Sequence, residues 1–151
     1  MIGQIVSGGQ TGVDRGALDA ALECGVPCGG WCPRGRRAED GFISDRYPLQ
    51  ETGSSDYRQR TERNVRDSDG TLILHKGPLE GGTALTGDLA ALHGRPCLSV
   101  ELGDDEEVEP VRKWFEAHQI RILNVAGPRE SKNPGITRMA AVYVVRLLEN
   151  R

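Results

Sequence analysis

The chain has 151 residues, a formal net charge of −3 and a sequence pI of about 5.6. A chain of that length predicts one domain over residues 1–151, which buries roughly 70% of its surface on folding and so needs neither disulfide nor metal to be stable. The acidic balance argues against nucleic-acid binding, and no apolar run reaches the ~20 residues of a membrane span. With the first strand beginning almost at Met1, no room is left for a signal peptide, and the expected location is cytoplasmic.

The predicted elements alternate in type. Residues 4–7 read as a short strand and residues 13–24 as a helix, with Ala17, Leu18, Ala21 and Leu22 on one face and Gly25 as its stop. Residues 26–31 read as a second strand, weakened by Gly29 and Gly30. A polar stretch over 33–55 follows, with a short strand near 47–50. Residues 57–68 form a highly charged helix whose inward positions are Tyr57, Thr61, Asn64 or Val65, and Ser68. That face suits a pocket wall, with Thr61 and Asn64 donating hydrogen bonds, or a contact with another subunit. The run "TLILH" over 71–75 is a buried strand. Then come a helix over 83–93, a strand over 97–102, a helix over 107–118, a strand over 120–125, and a helix over 136–150 with an apolar stripe from Ile136 to Leu148. Such alternation specifies an α/β fold. We expect a Rossmann-like three-layer domain of about five mostly parallel strands, with helices on both faces and right-handed crossovers.

The four cysteines, Cys24, Cys28, Cys32 and Cys97, invite a metal reading through their first three, spaced C-x3-C-x3-C. On a strand, four residues span roughly 13 Å, so three such thiols do not converge on one ion. Reduced thiols are expected, and no protein-ligated metal. Cys32 is the exception to watch, because it falls where the second strand reaches the ligand edge.

In parallel α/β sheets, ligands bind outside the carboxyl ends of the strands. After the first strand comes Ser7-Gly8-Gly9-Gln10-Thr11-Gly12-Val13-Asp14. It matches neither the dinucleotide fingerprint, since Ser7 replaces a glycine, nor the lysine-bearing phosphate loop. Glycines that let backbone N–H groups approach an anion still precede a helix start. Gly8, Gly9, Gln10, Thr11 and Gly12 are therefore expected to form an anion cradle. Asp14 is expected to cap the helix or accept from a ligand. After the second strand, Arg34, Arg36 and Arg37 stand where an NAD site would place an acid, and they suit phosphate or an oxyanion such as molybdate. After "TLILH", Gly81 and Gly82 open a helix with Thr83 as the expected N-cap, a second anion site. His75 faces either the site or a structural hydrogen bond. The loop before the last helix offers Lys132 and Asn133 as donors. No catalytic residue stands out.

Together "SGGQTGVDRGALDAAL", "RTERNVRDSDGTLIL", "GGTALT" and "NVAGPRESKNPGI" resemble the molybdenum carrier protein family, over nearly the whole chain. That family sits in a Rossmann-like superfamily with the lysine-decarboxylase-like phosphoribohydrolases. The resemblance implies a carrier that binds the molybdenum cofactor, a phosphorylated pterin dithiolene (molybdopterin) with an oxo-molybdenum centre, and protects or delivers it to recipient molybdoenzymes. It also implies a homo-oligomer, tetramer or dimer. Two alternatives use the same loops, a nucleotide-binding sensor and a phosphoribohydrolase acting on a nucleotide. Against the hydrolase stands Thr86, at the position of that family's catalytic glutamate, since a hydroxyl is no general base at neutral pH.

Overall fold

The computed structural model describes residues 1–149. β1 (Gln4–Val6) leads into α1 (Val13–Cys24), which closes at Gly25 with the left-handed φ of 69° that turns its N–H back onto the last carbonyls. β2 (Cys28–Gly29) is only two residues long. The chain leaves the sheet at Gly30, where φ is 121° and a Cβ would stand 2.5 Å from the Ser7 carbonyl oxygen. The pattern over 26–31 had merged two strands that this glycine separates.

Past Gly30 the chain makes an excursion that carries β3 (Trp31–Cys32), β4 (Arg37–Ala38), β5 (Gly41–Phe42) and β6 (Gln50–Glu51). β3 pairs in parallel with β6, and β4 antiparallel with β5. The excursion has a small core of its own, in which Cys32 packs with Leu18, Ala38, Ile43 and Tyr47. Cys32 is therefore fully buried rather than at the ligand edge, and burial pushes its thiol pKa up. Arg36 staples the loop by donating to the backbone carbonyls of Ile43, Ser44, Tyr47 and Leu49.

The chain then continues through α2 (Tyr57–Arg66), β7 (Gly70–His75), α3 (Gly81–Leu92), β8 (Cys97–Glu101), α4 (Glu109–His118), β9 (Ile122–Ala126) and α5 (Ile136–Leu148). Asn150, the expected end of the last helix, lies outside the described residues.

Five strands form one parallel sheet in the order β2-β1-β9-β7-β8. Counted from β9 as the first strand, this order becomes 3-2-1-4-5, that of the doubly wound dinucleotide-binding sheet. The winding reverses between β9 and β7. One face of the sheet carries α1, α4 and α5 over the main core, which includes Ile5, Leu72, Leu74, Leu123 and Val125. The other carries α2 and α3, with Val65, Leu89 and Ala90 packed together. α1 packs closely on α5 at Gly16, where a Cβ would meet the Thr137 carbonyl at 2.4 Å. The fold is thus the expected three-layer Rossmann-like arrangement.

Candidate ligand-binding cleft

Outside the carboxyl ends of β9 and β7, where the winding reverses, lies a cleft of about 530 Å³. Its walls are the turn after β1, the first turns of α2, the segment from β7 into α3 and the segment from β9 towards α5. Of the residues singled out from sequence, Gly8, Gln10, Asp14, Gly81, Gly82, Thr83, Lys132 and Asn133 line it together. Four others stand behind its walls. Gly9, at φ 80°, lies under Leu49 and Ile43 of the excursion. The Thr11 hydroxyl donates to the Glu39 carboxylate. The Gly12 N–H is held by Thr137 Oγ1 at 3.0 Å. Arg34 is exposed, and its backbone N–H donates to the Ser54 carbonyl.

The turn into α1 is closed from within. Besides the Gly12 N–H, the Val13 N–H is taken by the Pro128 carbonyl at 3.1 Å. Asp14 is buried at this helix start, and its carboxylate accepts from the Gln10 backbone N–H. Burial drives its pKa up from the usual carboxylate value, and the Arg60 guanidinium, 3.2 Å from its Oδ2, opposes that rise. The positive end of α1 thus already has an anion from the chain itself. This accounts for the missing lysine of a phosphate loop.

Two further helix starts on the rim are satisfied the same way. Asp56 caps α2 by accepting from the Arg58 N–H at 3.0 Å. At α5, the Glu130 carboxylate accepts the Gly135 and Thr137 N–H groups at 2.6 and 3.0 Å, and these bonds hold its pKa below the usual range.

The start of α3 differs. Its cap position is Glu80, whose side chain makes no capping bond. Thr83, the expected N-cap, is instead the third helical residue, with its N–H turned to the Glu80 carbonyl at 3.2 Å. Gly81 and Gly82 are exposed, their N–H groups have no protein partner among the described residues, and a Cβ on Gly82 would meet nothing within 4 Å. Lys76, Arg58 and Lys132 line the same cleft and form no ion pair among the described residues. An unsatisfied helix start and three unpaired cations thus share one cleft, a combination suited to an anion.

The remaining expectations fare variously. α2 does line the pocket, but Asn64 is a clamp on Trp31: its Oδ1 accepts that residue's N–H at 2.8 Å and its Nδ2 donates to the carbonyl at 2.9 Å. The Thr61 hydroxyl turns back to the Tyr57 carbonyl. Arg36 is the staple described above, and Arg37 donates to the Ser55 carbonyl and lies over the Tyr57 ring. Neither reaches the cleft. His75 takes its structural role, with Nδ1 2.7 Å from the Gly77 carbonyl oxygen. Arg60, Lys76, Asn124 and Gly127 line the cleft without having been singled out. Arg60 was within reach, since it falls on the helix face shared by Tyr57, Thr61 and Asn64. Asn124 becomes visible only once β9 is known to be central.

Residues 5–148 match the model of the family described as the circularly permutated YpsA SLOG family. A crystal structure from Syntrophus aciditrophicus SB, of a protein named "Putative molybdenum carrier protein", is 45% identical in sequence with a TM-score of 0.90. The match covers 98% of this chain and 95% of that one. None of the curated proteins matches. The permutation in the family's description agrees with the sheet, whose order becomes doubly wound only when counting starts at β9.

Proposed function

This chain belongs to the circularly permutated YpsA SLOG family, and we propose that its cleft binds a phosphorylated pterin, the organic part of the molybdenum cofactor, as cargo to be protected and delivered to molybdoenzymes. The observation that carries the reading is the open start of α3. Gly81 and Gly82 offer two free N–H groups to a phosphate, and Lys76, Arg58 and Lys132 supply the countercharge. The volume of about 530 Å³ suits a ligand of this size. The likeness to a protein named as a molybdenum carrier supports the choice of pterin over other phosphorylated rings. The enzymatic alternative is less well served. Thr86 donates its hydroxyl to the Gly82 carbonyl at 2.9 Å, and the carboxylates on the cleft are the buried, paired Asp14 and the exposed Glu80.

The test is native mass spectrometry with metal analysis on protein from cells grown with molybdate. Molybdenum together with a pterin mass is expected, on a dimer or tetramer. A bound nucleotide without molybdenum, with no binding of added cofactor, would overturn the carrier reading in favour of a nucleotide sensor.

A further inference from the structure

We infer that Arg60 selects the ring of the ligand, admitting heterocycles that present a carbonyl oxygen to it and rejecting those with an amino group there. The inference rests on reading the cleft as the site of a phosphorylated heterocycle. Arg60 lies on the cleft wall, largely buried, with 12% of its side chain exposed. Two of its three nitrogens are engaged by the protein: Nε donates to Thr61 Oγ1 at 3.1 Å, and Nη1 to Asp14 Oδ2 at 3.2 Å. Nη2 has no partner among the described residues and is not fully buried, and Arg60 lines the cleft. The guanidinium lies close over the Gly8 backbone, where a Cβ would stand 2.0 Å from Nη1, and within 5.3 Å of the Tyr57 ring centroid. It is thereby held in one orientation before any ligand arrives.

A guanidinium only donates. With Nε and Nη1 engaged, it presents the Nη2 N–H groups in a fixed direction, and these suit a carbonyl oxygen on the ring edge, such as O6 of guanine. Pterin offers the equivalent oxygen as O4. Adenine places an amino donor at that position, so donor would face donor, and two desolvated donors would be left without acceptors. The ring chemistry shared by pterin and guanine is therefore selected, with Asp14 as the positioning residue that aims Arg60. The anion site at α3 is indifferent to the ring.

Isothermal titration of the full chain with GMP, IMP, AMP, 6-hydroxymethylpterin phosphate and inorganic phosphate tests this. GMP and IMP, which share the carbonyl edge and differ in the 2-amino group, should bind alike and at least tenfold more tightly than AMP. The pterin phosphate should bind at least as tightly as GMP; if it binds more weakly, guanine is the ring that fits. Arg60→Lys keeps the charge and loses the planar group that holds one donor fixed towards the ring, and it should bring GMP down to the affinity of AMP. Equal binding of GMP, IMP and AMP, abolished by Gly82→Asp, would overturn the role of Arg60 and leave the phosphate cleft standing. Retained preference in Arg60→Lys would overturn it too. Binding of none of the five would overturn the cleft reading along with it. Should Arg60→Lys fail to fold, the three nucleotides on the unaltered chain still decide.

Discussion

Two glycine-rich turns stand on the same rim, and in sequence they look like equals. The turn into α1 has Gly8, Gly9 and Gly12; the turn into α3 has Gly81 and Gly82. In the folded chain, the first is knotted to the protein. Gly12 and Val13 give their N–H groups to Thr137 and Pro128, and Asp14 supplies the negative charge that the helix start attracts. The second keeps its N–H groups free and has space above it. Glycine therefore has opposite uses in the two turns. In the first it admits the protein's own backbone and the Arg60 side chain, and in the second it leaves room for a ligand. A glycine motif at a helix start becomes a phosphate site only if no carboxylate or carbonyl of the chain reaches it first.

Substitutions in the two turns should separate these uses, and the largest effect belongs to the closed one. Arg60→Ala leaves Asp14 buried without its partner and should destabilise by about 3–5 kcal/mol, read from the midpoint of urea unfolding. Gly12→Ala puts a Cβ at φ 85°, 2.2 Å from the Pro128 carbonyl oxygen, and should lose about 2–4 kcal/mol through left-handed strain and overpacking in the same assay. In the open turn, Gly82→Asp should leave the unfolding midpoint nearly unchanged while weakening a phosphorylated ligand at least tenfold, about 1.4 kcal/mol, by calorimetric titration. Unaltered affinity there would show that α3 is not the anion site.

A smaller effect is expected at the third helix start. Glu130 has its pKa lowered in the folded state by the N–H groups it caps, so its contribution is present above the unfolded value and is lost as pH falls through the folded one. Glu130→Gln should flatten the fall in stability on the acid side, below about pH 4.5, and should cost about 1 kcal/mol at neutral pH as a weakened cap, measured as thermal midpoint against pH. Smallest of all, Gly82→Ala should change stability by less than about 1 kcal/mol, and in the stabilising direction, because its site is a free helical position.

Much of this architecture could be read in advance because it depends on local spacing. The run Thr71–Leu74 is buried throughout, and the stripe of α1 buries Ala17, Leu18 and Ala21 while leaving Leu22 exposed; in α5, Ile136, Ala140, Tyr143, Val144, Leu147 and Leu148 are buried. What could not be read depends on contacts made far along the chain. No periodicity tells β9 to insert between β1 and β7. The break at Gly30 follows from the nearness of Ser7, and a glycine within an apolar run carries no sign of it. Arg36 looked like an anion ligand because its charge is visible in sequence, whereas the four carbonyls it gathers are brought to it by a loop whose path is not. The same holds for the cleft. The free turn at α3 was recognisable as a glycine turn, but that Asp14 would close its counterpart became evident only with Arg60 and Pro128 in place.

The central position of β9 has a consequence for how the molecule is made. β1 pairs only with β2 and β9, and β7 only with β8 and β9. Until residues 122–126 arrive, the sheet exists as two separate parallel pieces, each with an inner strand whose N–H and C=O groups face nothing on one side. During synthesis, those two inner edges emerge before the strand that covers them, and unpaired strand edges favour aggregation. Closing the sheet brings together segments more than a hundred residues apart, such as Ile5 and Leu123, so the docking of β9 is expected to be a slow step of folding, which substitutions in residues 122–126 would test by their effect on the refolding rate. The docking of β9 also builds the cleft, because the reversal of winding that opens it does not exist until that strand is in place.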